Sequence, residues 1–201
     1  MNQDPCKVAV TSRSFSKHEG LRNELLKRYP ETDFNDLGES LSGQMLVEFL
    51  SGHAKAITAL ETLDESILKQ LPELKVISKY GVGLDMLDLS AMSDMGMKLG
   101  WTSGVNRRSV SELALSFMIA SLRNFPYCQK EIFAGRYRQI QRRELSGRTV
   151  GIIGCGNIGK DLVEMLKPFN CKILVNDIVN YVEFYLKHNI QAVSKEELLS
   201  K

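Results

Sequence analysis

Six residues, Gly154-Cys155-Gly156-Asn157-Ile158-Gly159, have the types and the spacing that let a backbone come close to an anion. Each glycine has its own task. Gly154 permits a tight turn, Gly156 lets the chain approach a diphosphate, and Gly159 lets the helix that follows pack against the strand that precedes. The amides of Asn157 and Ile158 then stand at the positive end of that helix, where negative charge is stabilised. Glycine triplets of this form also arise by chance, so their surroundings decide their meaning. An apolar strand over Thr149–Gly154 leads in, a helix over Asn157–Leu166 leads out and stops at Pro168, and Asp177 ends the next strand, Cys171–Asn176, 18 positions beyond Gly159. A carboxylate at that place accepts hydrogen bonds from both hydroxyls of a ribose and repels a 2′-phosphate, so the pattern points to NAD rather than NADP.

The elements that must position this loop belong to a chain of alternating β-rich and amphipathic segments. The alternation predicts strands at Lys7–Thr11, Ala54–Thr58, Lys75–Tyr80 and Met97–Trp101. Helices are expected at Ser16–Tyr29, Asp64–Leu71 and Asp88–Met95, giving an α/β fold with a parallel sheet. Gly81-Val82-Gly83 follows the third of these strands, and such a turn exposes amide donors suited to an anion, although an ordinary tight turn has the same sequence. After a hinge near Ser103-Gly104, one long helix is expected over Asn106–Phe125, closed before Pro126. Its apolar residues, from Val110 to Leu122, cover most of its circumference, which predicts burial on nearly every side, between domains or subunits. A polar, basic connector follows from Pro126 to Arg148. Beyond Asp177 a helix at Val179–His188, a short strand at Ile190–Val193 and a helix opened by Ser194 complete the pattern.

Composition narrows the field. With 43% hydrophobic and 25% charged residues the chain can bury a core. A net charge of +2 is too small to argue for nucleic acid by itself, no nucleic-acid partner is expected, and the basic stretch through Arg136, Arg138, Arg142 and Arg143 reads as solvated surface. No apolar run reaches membrane-spanning length and the first residues lack a signal peptide's pattern, so the expected location is the cytoplasm. Cys6, Cys128, Cys155 and Cys171 lack metal-ligand spacing and are expected as reduced thiols, with no metal site.

Three blocks carry a resemblance: Ile77-Ser78-Lys79-Tyr80-Gly81-Val82-Gly83-Leu84-Asp85, then the run from Gly104 through Asn106 and Glu112 to Leu115, then Leu145 to Gly154. In order and spacing the chain resembles the D-isomer-specific 2-hydroxyacid dehydrogenases, in particular their D-3-phosphoglycerate dehydrogenase-like branch. The resemblance implies a flavodoxin-like substrate domain over 1–104 and the first part of a doubly wound Rossmann NAD-binding domain over 105–201. It implies hydride transfer between a 2-hydroxy acid, 3-phosphoglycerate among the options, and NAD. Val82 and Gly83 would bind the substrate carboxylate through their backbone, and Asn106 would lie near the substrate at the cleft between domains. A homodimer would form through the 106–125 helix and the 126–148 connector. The alternative is a non-catalytic, NAD-responsive binding protein on the same fold.

In that family the catalytic arginine, glutamate and histidine come from segments beyond the equivalent of Lys201, so none is expected here. His18, His53 and His188 match none of those motifs and read as surface residues. In a doubly wound domain the fingerprint strand lies mid-sheet. With nothing to flank it on one side, Val150, Ile152 and Ile153 would sit at an open edge, which leads to the expectation of an incomplete polypeptide.

Overall fold

Short apolar runs give strands, and the amphipathic runs between them give helices that cover the sheet. The computed structural model describes residues 4–201. Through Ser103 a first unit holds β1 (Val8–Val10), α1 (Arg13–Lys17), α2 (Glu19–Arg28), β2 (Thr32–Phe34), α3 (Gly43–Leu50), β3 (Lys55–Thr58), α4 (Glu65–Leu68), β4 (Val76–Lys79), α5 (Leu89–Asp94) and β5 (Lys98–Gly100). The strands lie in the order β2-β1-β3-β4-β5 and every pair is parallel, which is the flavodoxin-like doubly wound order.

Strand residues Ala9, Ala56 and Ile77 are buried with Leu46 and Leu50 of α3, Leu68 of α4 and Met92 of α5 in one core. Truncating one such leucine to alanine typically costs about 2–5 kcal/mol. The single helix expected at Ser16–Tyr29 is instead two, broken at His18. There the backbone turns extended and the imidazole Nδ1 accepts the Leu21 N–H at 3.2 Å, so His18 caps α2.

The second unit, Gly104–Lys201, holds α6 (Arg107–Leu122), α7 (Phe125–Phe133), β6 (Thr149–Ile153), α8 (Asn157–Leu166), a 3-10 turn (Lys167–Phe169), β7 (Lys172–Asn176), α9 (Val182–His188), β8 (Gln191–Ala192) and α10 (Lys195–Ser200). Its sheet runs β6-β7-β8, all parallel. The long helix ends sooner than expected, because Asn124 adopts a left-handed conformation (φ 52°) and starts α7 inside the supposed connector. Proline is the reason the sequence misleads: Pro126 stops a helix from its interior but fits the first turn of the next. From the basic stretch, Arg136 and Arg138 turn back onto the buried Glu131, at 2.7 and 3.2 Å.

α6 finds part of its cover within this unit: Ala114, Leu115, Met118 and Leu122 pack on the core around α8, while Leu113 and Phe117 are exposed. As expected, β6 lies at the edge of its sheet, pairing among the described residues with β7 alone; the side chains of Val150 and Ile152 point into the core and that of Ile153 is exposed. On the other face Gly151 receives Leu198 of α10, whose Cδ2 lies 2.8 Å from where a Cβ would stand.

Candidate functional site

β6 delivers the chain directly into the glycine loop. Gly154 takes φ 93°, a conformation that side chains disfavour, and its N–H donates to the Asn176 carbonyl at 2.8 Å, tying the loop to the end of β7. Gly156 is the N-cap of α8 and offers no side chain there; the space where a Cβ would sit is open. At Gly159 the opposite holds: a Cβ would lie 2.2 Å from the Gly154 carbonyl oxygen. One glycine leaves room for a ligand and the other closes the strand against the helix.

The first amides of a helix have no acceptor within it, and here they begin at Asn157 and Ile158. Neighbours fix this turn. The Ser111 hydroxyl of α6 donates to the Ile158 carbonyl at 3.1 Å, and the Asn157 side chain fills the space beside Gly104, 2.8 Å from a Cβ there. Arg108 reaches Asp161 of α8 at 3.0 Å and links the two helices while its own side chain stays exposed.

Asp177 follows β7 immediately. Its Oδ1 accepts the Val179 N–H at 2.8 Å and its Oδ2 accepts the Cys155 N–H, so one carboxylate links the turn after β7 to the glycine loop. The N–H of Val179, then that of Cys155, hold its carboxyl below the ordinary 3.8, with the Ile178 amide and the Lys160 charge adding to the effect and burial opposing it. A depressed carboxylate stabilises the fold above its ordinary range and loses that contribution as pH falls through its lowered value. The clasp should therefore open only under strong acid. On acidification, the amide resonances of Val179 and Cys155 should move together below pH 3.8; a transition near neutral pH would contradict the assignment.

Lys160 was not singled out from the sequence. Directly after Gly159, it places its ammonium 3.4 Å above the Tyr181 ring, and its charge acts on both Asp177 and the Cys155 thiol. Its position one residue past the third glycine was the available signal. Cys155, inside the loop, is fully buried, which pushes its thiol up.

Val82 and Gly83 lie in the first unit, in the bend after β4, with Val82 half-buried and Gly83 exposed. Asn106 lies in the second, as the N-cap of α6, and its buried Oδ1 has no hydrogen-bond partner. The histidines are not all surface groups. His53 is buried with Nδ1 facing the Ser51 carbonyl at 3.1 Å and Nε2 facing Asp33 at 2.9 Å. The His188 side chain is also buried, with Nε2 3.1 Å from Glu164. No group of three His, Cys, Asp or Glu suited to a metal occurs among the described residues, and none of their helices is long and apolar enough to cross a membrane.

A parallel strand, a glycine turn, a helix N-terminus and a carboxylate at the next strand end define a dinucleotide-binding α/β protein. The open ground over Gly156 and the Asp177 carboxylate at the next strand end fit a diphosphate and a ribose. Residues 115–201 match the family model described as D-isomer specific 2-hydroxyacid dehydrogenase, NAD binding domain. The chain is 30% identical over 158 residues to the glyoxylate/hydroxypyruvate reductase A of Arabidopsis thaliana, covering 76% of this chain and 50% of that protein. It is 27% identical over 160 residues to a D-3-phosphoglycerate dehydrogenase of Methanocaldococcus jannaschii, covering 78% of this chain and 30% of that one. Among solved structures, an NAD-dependent formate dehydrogenase from Staphylococcus aureus in complex with NAD matches with a TM-score of 0.76 at 26% identity, over 96% of this chain and 61% of that chain.

Residues 115–201 carry the NAD-binding domain of the D-isomer-specific 2-hydroxyacid dehydrogenase family, and the chain as a whole is similar to members of that family. It spans half or less of the length of these curated relatives. They divide among hydroxypyruvate reductases, formate dehydrogenases and D-3-phosphoglycerate dehydrogenases, so the phosphoglycerate branch is one of several.

Proposed function

We propose that this chain holds NAD and the carboxylate of a 2-hydroxy or 2-oxo acid as part of an NAD-dependent dehydrogenase acting on such acids. The observation that carries the reading is the loop Gly154–Gly159 with Asp177 clasped to it, since that arrangement presents amides to a diphosphate and a carboxylate to a ribose. When bound, NAD supplies a hydride acceptor at its nicotinamide. Gly154, Gly156, Asn157, Ile158 and Gly159 hold the diphosphate, Asp177 takes the ribose hydroxyls, and the amides of Val82 and Gly83 take the substrate carboxylate. Asn106 contributes its unpartnered oxygen as an acceptor. The substrate domain is residues 1–104, and 3-phosphoglycerate stands as one member of the substrate class.

Proton transfer is assigned to a further group: His18 caps a helix, His53 bridges Ser51 and Asp33, and the buried His188 faces Glu164 within its own unit. The 201 residues are thus expected to bind NAD by calorimetry and to show no turnover of NADH with glyoxylate. Turnover by this chain would overturn the division of labour, and absence of any NAD binding would overturn the function.

A second reading is a non-catalytic, NAD-responsive binding protein on the same fold. A longer form of the protein that binds NAD yet turns over no 2-oxo acid would support it. In either case two copies are proposed to meet through α6, α7 and the chain up to Arg148, where Leu113, Phe117, Phe125, Ile132, Phe133 and Tyr137 are exposed. Sedimentation should give a dimer for the natural chain and a monomer for Phe117→Glu; a natural chain that sediments as a monomer at every concentration removes the dimer.

A further inference from the structure

Just past β5, the indole Nε1–H of Trp101 donates to the carbonyl of Val82 at 3.1 Å. A trans peptide is planar, so the Val82 carbonyl and the Gly83 N–H leave one plane in opposite directions. Anchoring the carbonyl on the indole therefore aims the Gly83 N–H away from it. The turn needs such an anchor. Gly81, at φ 142°, and Gly83 flank Val82, and glycine leaves a peptide unit more freedom to rotate than any other residue. Gly83 is exposed, and the Asp85 carboxylate stands 3.2 Å from where its Cβ would be, so a side chain at this position would crowd that carboxylate.

We infer that Trp101 is a positioning residue: it locks the Val82–Gly83 peptide so that the Gly83 N–H is presented to the carboxylate of the 2-oxo or 2-hydroxy acid. This rests on the reading of Val82 and Gly83 as carboxylate donors given under Proposed function. The indole touches no substrate; it sets the direction of the donor that does. Losing one hydrogen bond between neutral groups changes an equilibrium by about threefold to tenfold, which sets the size of the effect.

The test is a titration of the 201-residue chain with glyoxylate, the smallest 2-oxo acid, followed in backbone amide spectra of the natural chain and of Trp101→Phe. In the natural chain the Gly83 amide should shift saturably, and the indole N–H, a single resonance because the chain has one tryptophan, should follow the same binding curve. In Trp101→Phe the glyoxylate Kd should rise about threefold to tenfold, with NAD affinity and the hydrogen exchange of β4 unchanged. If Gly83 responds with the same Kd in Trp101→Phe, or if the indole stays still while Gly83 moves in the natural chain, the positioning role is overturned and the loop's function stands. If Gly83 does not respond in the natural chain, the loop's function falls and the positioning role with it. The indole measurement needs no variant, so it decides the matter even where Trp101→Phe does not fold.

Discussion

Gly159→Ala is expected to open the β6–α8 junction. The added methyl would stand 2.2 Å from the Gly154 carbonyl oxygen, 3.1 Å from its carbon and 3.5 Å from the Ile152 Cγ2. Two of those neighbours are backbone atoms, which cannot swing aside as the end of a long side chain can. Either α8 slides along the sheet or the loop flattens, and overpacking of this kind costs about 1–3 kcal/mol. Hydrogen exchange reads the result locally. Amides of β6 and β7 should lose about tenfold or more of their protection, while those of β1 and β3 in the first unit keep theirs. NAD binding should weaken in parallel, because the first amides of α8 move with the helix. Full protection of β6 with full NAD affinity would mean that the junction tolerates a side chain and that the close approach has no role.

The second large effect is expected from Asp177→Ala. Its carboxylate does two things, accepting the N–H groups of Cys155 and Val179 and offering its remaining lone pairs to a ribose. Hydrogen bonds to a charged group contribute about 1.5–3 kcal/mol each, so NAD affinity should fall by about tenfold to a hundredfold. Discrimination against NADP should relax, since no negative charge remains to repel a 2′-phosphate. Asp177→Asn loses the charge and keeps one acceptor oxygen, so one of the two N–H groups loses its partner and selectivity should drop together with part of the loop's order. Calorimetry with both dinucleotides measures this, and unchanged selectivity in either variant would remove Asp177 from ribose recognition.

The glycine loop, its strand and helix, and Asp177 were legible in the sequence because their signals are local: each rests on residue types at fixed offsets within one βαβ stretch. Other elements carry no such signal. β2 is three residues, Thr32-Asp33-Phe34, without an apolar run, and it forms because β1 offers it a parallel partner. α3 begins at a left-handed glycine, Gly43 (φ 52°), and is held by the burial of Leu46, Val47 and Leu50 rather than by helix propensity alone. The fate of His53 and His188 was equally hidden. Burial of an imidazole depends on groups distant in sequence, Asp33 and Glu164, that only the fold brings near. For α6 the pattern stated a need for cover, and one covering face lies within this unit.

The single indole also decides what ordinary optical methods can see. Trp101 belongs to the first unit and the glycine loop to the second, so fluorescence excited at tryptophan wavelengths reports directly on the surroundings of the indole beside Val82. Labels near Cys155 would perturb the loop they report on, whereas Tyr181 and Tyr185, packed edge to face with Tyr181 under Lys160, are natural chromophores next to it.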